Sequence, residues 1–66
     1  MQVFINDKTF ECSPGMTLAE ILEANSIKTD NVAVAVDFNV IPRAEWGKTV
    51  PLNGSKIIVI KAVQGG

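Results

Sequence analysis

The residues best suited to chemistry in this chain are its last two. Val63-Gln64-Gly65-Gly66 closes the sequence, and neither glycine carries a Cβ, so both can enter a slot too narrow for a dipeptide with side chains. A carboxylate on Gly66 is an anion at neutral pH and a poor electrophile until another group activates it. The chemistry expected here is therefore done on the chain by other proteins. A frayed end that finishes in glycine by chance is the plainer reading, because chain ends are commonly disordered.

The remaining composition removes most enzymatic options. The sequence holds no His, no Tyr and a single Cys, Cys12. No Cys/His metal cluster, internal disulfide, Ser-His pair or Cys-His pair can be assembled from it. Glu11, Glu20, Glu23, Asp30, Asp37 and Glu45 are scattered and nominate no carboxylate pair for acid–base work. Six Lys/Arg against seven Asp/Glu give a net charge of −1, which argues against electrostatic binding of nucleic acid. One free thiol suits a reducing, cytoplasmic setting. The sequence opens directly on a strand-like pattern, so no signal peptide is expected, and no apolar run approaches the ~20 residues of a membrane span. At 66 residues, 47% of them hydrophobic, a single domain buries only about 60% of its unfolded-chain surface. Some apolar residues must then face water or a partner.

The chain reads as one unit, residues 1–63, followed by a flexible tail, 64–66. Val3 and Ile5 alternate with Gln2, Phe4 and Asn6, predicting a strand over Met1–Asn6. Asn6-Asp7 tolerates left-handed backbone and predicts a hairpin turn into a short strand, Thr9–Cys12. Pro14-Gly15 breaks the chain. Thr17-Leu18-Ala19-Glu20 matches a capping box, Met16 and Ile21 sit where a hydrophobic staple forms, and Leu18, Ile21 and Leu22 share a face. An amphipathic helix from Thr17 to about Asn25 follows, ended by Asn25-Ser26. Val32, Val34 and Val36 alternate with Ala33 and Ala35 as a third strand. Asp37-Phe38-Asn39 is the next turn, before a short strand Val40–Pro42 that Pro42 confines to an end or an edge. Arg43–Trp46 reads as one helical turn, and Asn53-Gly54 opens a last strand from Lys56 to Val63.

The last strand decides the architecture. Ile57, Ile58, Val59 and Ile60 are apolar on both parities, as in a central strand. One helix can cover only one side of a small sheet. Placing the first and last strands side by side in the centre gives an α+β, β-grasp fold: a mixed sheet of four to five strands with one helix across one face. Assigning Val3, Ile5, Ile57 and Val59 to the helix side leaves Phe4, Ile58 and Ile60 together on the other, a candidate partner-binding patch on the strand that leads into the tail.

With these elements in place the chain resembles the ThiS family, the sulfur carriers of thiamin biosynthesis, and more broadly the ubiquitin-like carriers. The matching stretches are Met1-Gln2-Val3-Phe4-Ile5-Asn6, Thr17-Leu18-Ala19-Glu20-Ile21-Leu22, Val34-Ala35-Val36, Val40-Ile41-Pro42-Arg43 with Trp46, Leu52-Asn53-Gly54, and Ile57-Ile58-Val59 running to Gly65-Gly66. Asp7 and Phe38 depart from the pattern, standing in turns where many relatives have Gly. The resemblance implies a protein that is acted on and is not itself an enzyme. A ThiF-like adenylyltransferase, using ATP and magnesium, would adenylate Gly66. Sulfur from a persulfide-bearing protein would displace AMP, and the Gly66 thiocarboxylate would pass its sulfur to a ThiG-like thiazole synthase. Val63, Gln64 and Gly65 would be read by the partners as a mobile tail, and the chain itself would bind no cofactor or metal. A related carrier, such as the molybdopterin-synthase small subunit or an amide-forming ubiquitin relative, shares the Gly-Gly chemistry. A β-grasp interaction module without tail chemistry is the other class. Cys12 is expected as a small apolar packing residue, Trp46 as a core or lid residue, and Arg43 as either a local contact or a partner contact.

Overall fold

The computed structural model of the protein describes residues 1–61. Two hairpins set its registers. Asn6 and Asp7 (φ 49° and 68°) and Asp37 and Phe38 (φ 49° and 71°) are pairs of consecutive left-handed residues. Each pair forms a two-residue loop of the kind whose twist matches that of the flanking strands. The first joins β1 (Gln2–Ile5) to β2 (Lys8–Glu11), with Ile5 opposite Lys8. The second joins β3 (Val32–Val36) to β4 (Asn39–Ile41), with Val36 opposite Asn39. Asn39 therefore belongs to a strand, and β4 lies one residue earlier than the expected Val40–Pro42. Pro42 instead leads into a single 3₁₀ turn, Arg43–Glu45, where its missing N–H costs nothing.

Between the hairpins lies α1 (Leu18–Ala24), whose ends are hydrogen-bonded group by group. The N–H of Leu18 donates to Thr49 O at 2.7 Å and that of Ala19 to Trp46 O at 3.1 Å. The N–H of Glu20 donates to Thr17 Oγ1 at 3.2 Å, and the Glu20 carboxylate accepts from the Thr17 N–H at 2.9 Å. The capping box is complete, and the first-turn donors of the helix all have partners. At the other end Ser26 turns left-handed (φ 57°). Its N–H donates to Glu23 O, and the Ile27 N–H donates to Leu22 O at 2.9 Å. That pair of bonds is a Schellman motif with Ser where Gly is usual. It turns the chain back and seats Ile27 against the core.

The last strand, β5 (Lys56–Lys61), follows a turn in which the Ser55 N–H donates to Leu52 O and Gly54 holds φ 84°. That is the position where a type II turn demands positive φ. β5 runs parallel to β1 and antiparallel to β3, giving the order β2-β1-β5-β3-β4. The two-sided apolar strand is thus central, and the fold is a β-grasp. Leu18, Ile21 and Leu22 of α1 pack on Val3, Ile5, Val34, Val36 and Ile57, with Trp46 closing one end. The stretch expected to extend β5 through Val63 lies, from Ala62 onward, outside the described residues.

Candidate functional site

The strand period of two sorts β5 into two sides. Ile57 is fully buried beneath α1 and Val59 packs at the border of the core. Ile58 is half-buried and Ile60 is 51% exposed, both on the side without a helix. The registers add their neighbours. Phe4 stands opposite Lys56, Ala35 opposite Ile58, and Ala33 opposite Ile60. Directly paired residues share a face, with Cβ atoms about 5 Å apart. Phe4, Ile58 and Ile60 therefore lie on one side of the sheet, with the two alanines of β3 beside them.

Two more apolar residues join this face. Val40 stands opposite Ala35 and is 68% exposed. Phe38, at the β3–β4 turn, is 82% exposed, with its ring centroid 6.0 Å from Lys56 Nζ. The sequence pattern alone places neither of them on this face. A two-residue turn puts Val40 opposite Ala35, whereas the longer turn expected there leaves its facing open. Single exposed apolar residues are ordinary on any surface, but a contiguous band across four strands is not. Lys56 supplies a cation within it, and Gln2 and Glu11, joined by a side-chain hydrogen bond of 3.0 Å, form a polar border at the β2 edge.

The strand that carries this face also leads to the residues with the candidate chemistry. Gly66, and with it Val63, Gln64 and Gly65, lies outside the described residues, as does the expected mobility of the tail. On its approach β5 is held from both sides as far as Val59. There the Asn6 side chain receives the Val59 N–H at 2.9 Å and donates to the Val59 carbonyl at 3.3 Å. A cleft of ≈ 480 Å³ adjoins this point, lined by Asn6, Lys28, Asp30, Asn31, Val32, Val59 and Lys61. None of these lining residues is a Ser, Thr or Cys. Among the described residues no group of His, Cys, Asp and Glu is placed to hold a metal ion, and no helix is long and apolar enough to cross a membrane.

The remaining nominees take structural places. Cys12 is half-buried against the core. Trp46 is 6% exposed and its indole N–H donates to Ile41 O at 2.8 Å. Arg43 stacks on the Trp46 ring with Cζ 4.4 Å from the centroid and donates to Thr29 O. Its contacts are thus local, tying the loop after α1 to the 3₁₀ turn.

The model of the ThiS family matches residues 3–66. The chain belongs to the ThiS family. It is 29% identical to the sulfur carrier protein ThiS of Escherichia coli strain K12, over the whole of both chains. Its fold superposes on the crystal structure of the thiamine biosynthesis protein ThiS from Geobacter metallireducens with a TM-score of 0.84, at 20% identity and covering all of both chains. At that identity the likeness speaks for the β-grasp fold. The family match also takes in Gly65-Gly66.

Proposed function

We propose that this ThiS-family chain is a sulfur carrier whose reactive group is the carboxylate of Gly66. A ThiF-like adenylyltransferase binds the open face of the sheet and receives the tail. A Gly66 carboxylate oxygen attacks the α-phosphorus of magnesium-bound ATP, and pyrophosphate leaves. The resulting acyl adenylate is an activated electrophile. The terminal sulfur of a protein persulfide attacks its carbonyl carbon and AMP departs, leaving an acyl disulfide. A second thiol then cleaves the S–S bond and is itself oxidised to a disulfide, releasing the thiocarboxylate. The thiocarboxylate sulfur, a soft and exposed nucleophile, is handed to thiazole synthase. The chain supplies no catalytic side chain. It contributes a docking face, a strand aimed at the partner and an end narrow enough to enter an active site, so binding energy on the sheet is used to position the reacting carbonyl. The reducing cytoplasm fits a chain whose one thiol is unpaired.

The observation that carries this reading is the family match through Gly66, supported by an uncovered apolar face on the strand that precedes it. Intact mass spectrometry after incubation with the adenylyltransferase, ATP and a persulfide donor tests it. The expected product is heavier by one sulfur-for-oxygen exchange, and fragmentation places the change on Gly66. A chain that gains neither AMP nor sulfur, or gains them elsewhere, overturns the proposal.

A further inference from the structure

β1 and β5 run parallel, but β1 stops first. Asn6 turns left-handed (φ 49°) into the hairpin, while β5 continues to Lys61. Backbone groups of Ser55, just before β5, and of Ile57 and Val59 within it point toward β1. Phe4 N–H donates to Ser55 O at 2.9 Å and Asn6 N–H donates to Ile57 O at 2.9 Å. The next pair, on Val59, would face the turn and find no strand. The Asn6 side chain occupies that place, with Oδ1 accepting from the Val59 N–H at 2.9 Å and Nδ2 donating to the Val59 carbonyl at 3.3 Å. A primary amide presents its oxygen and one of its N–H groups on the same edge, a match for the N–H and C=O that a single strand residue turns to one side. The opposite amide orientation would set N–H against N–H, so the partners fix the one described.

We propose that Asn6 is a positioning residue for the carrier reaction, a side-chain rung that extends the grip of β1 on β5 to Val59. The role rests on the sulfur-carrier reading. Val59 lies between Ile58 and Ile60, the docking side chains, on the strand that precedes the Gly66 tail in sequence. With the rung in place this segment is held on both edges. Without it, the segment hangs from β3 alone, through the Val34–Val59, Ala33–Ile60 and Val32–Lys61 pairs. A strand paired on one edge opens more readily. The partner would then have to order that segment before Gly66 reached its active site, a cost that appears in binding and transfer.

Asn is also a favoured first residue of a left-handed hairpin turn, so the test must separate turn from rung. Asn6→Gly does so, because Gly accepts the same φ and removes the amide, while its greater unfolded-state freedom changes global stability, which urea unfolding measures separately. Asn6→Asp keeps the acceptor for the Val59 N–H and loses the donor to its carbonyl. The readouts are amide hydrogen exchange by NMR, and steady-state adenylation by an enzyme that modifies the wild-type chain, at a temperature where each variant is fully folded. In Asn6→Gly the Val59 amide should exchange at least about tenfold faster, with Val3 and Ile21 unchanged. Adenylation kcat/KM should fall about three- to thirtyfold, mainly through KM, with Asn6→Asp between Gly and wild type. Unchanged Val59 exchange in Asn6→Gly overturns the rung. Faster exchange with unchanged kcat/KM reduces Asn6 to a structural residue and overturns the positioning role. A wild-type chain that accepts no AMP fails the carrier reading and the positioning role together, while Val59 exchange alone still decides the rung.

Discussion

At Phe38 the backbone holds φ 71°, a conformation that costs an L-residue about 1–2 kcal/mol and suits an aromatic side chain poorly. Burial does not compensate, since the ring is 82% exposed, with Lys56 Nζ 6.0 Å from its centroid. A residue that weakens the free domain yet presents a large apolar surface on the candidate docking face is best explained by contact with a partner. Phe38→Gly should therefore raise stability by about 0.5–1 kcal/mol in urea unfolding, once the greater freedom of the unfolded glycine is subtracted. The same variant should bind the adenylyltransferase less tightly. A stabilised variant with unchanged affinity would assign Phe38 to neither role. Gly66 calls for the opposite pattern. Gly66→Val should leave thermal unfolding unaltered and lower adenylation kcat/KM by at least about a hundredfold, because a β-branched side chain cannot follow glycine into a narrow slot and misplaces the carbonyl. An adenylated Gly66→Val chain in the intact-mass assay would remove the steric argument.

Among the elements, α1 depends most on local chemistry. Seven residues is far below the length at which a helix is stable alone, so its caps and its buried face must hold it. Thr17→Ala removes the acceptor for the Glu20 N–H and should cost about 1 kcal/mol, lowering Tm by roughly 4–8 °C in a domain of this size. Scanning calorimetry checks this, and an unchanged Tm would mean that the Thr49 and Trp46 carbonyls suffice to hold the helix start. The start and end of this helix were legible in the sequence because capping is a short-range code, with Thr17, Glu20, Asn25 and Ser26 each acting within a few residues of their partners. The first hairpin and the parity of β1, β3 and β5 were legible for the same reason. The exact span of β4 was not. A two-residue turn through Asp37-Phe38 requires left-handed backbone at an aromatic residue, and local preference argues against that until the sheet imposes it. The Asn6–Val59 rung was out of reach as well, since its groups are brought together only by the parallel β1–β5 pairing.

For the molecule as a whole, one α-helix over a five-stranded sheet leaves a face that no helix covers among the described residues. Val3, Ile5, Val34, Val36 and Ile57 lie under the helix at 9% exposure or less, whereas Ile60, Val40 and Phe38 on the other side are half to four-fifths exposed. That asymmetry lets binding be separated from folding. Ile60 already contacts water across half of its surface, so replacing it gives up little burial. Ile60→Thr keeps the β-branched shape a central strand favours and should cost less than about 1 kcal/mol in stability. At a desolvated interface the same change exposes the partner's apolar surface to a hydroxyl, and the adenylyltransferase Kd should rise at least about tenfold. Ile60→Asp should weaken binding further, by burying a charge, with an added stability loss of about 1 kcal/mol from poor strand propensity. Val3→Thr, placing the same kind of change under the helix, should do the reverse and lower Tm sharply while the folded fraction binds normally. Titration calorimetry with the adenylyltransferase, set beside thermal unfolding of each variant, measures both quantities. If Ile60→Thr lost stability and kept its affinity, the open face would be serving the fold, and the partner would have to grip the carrier elsewhere.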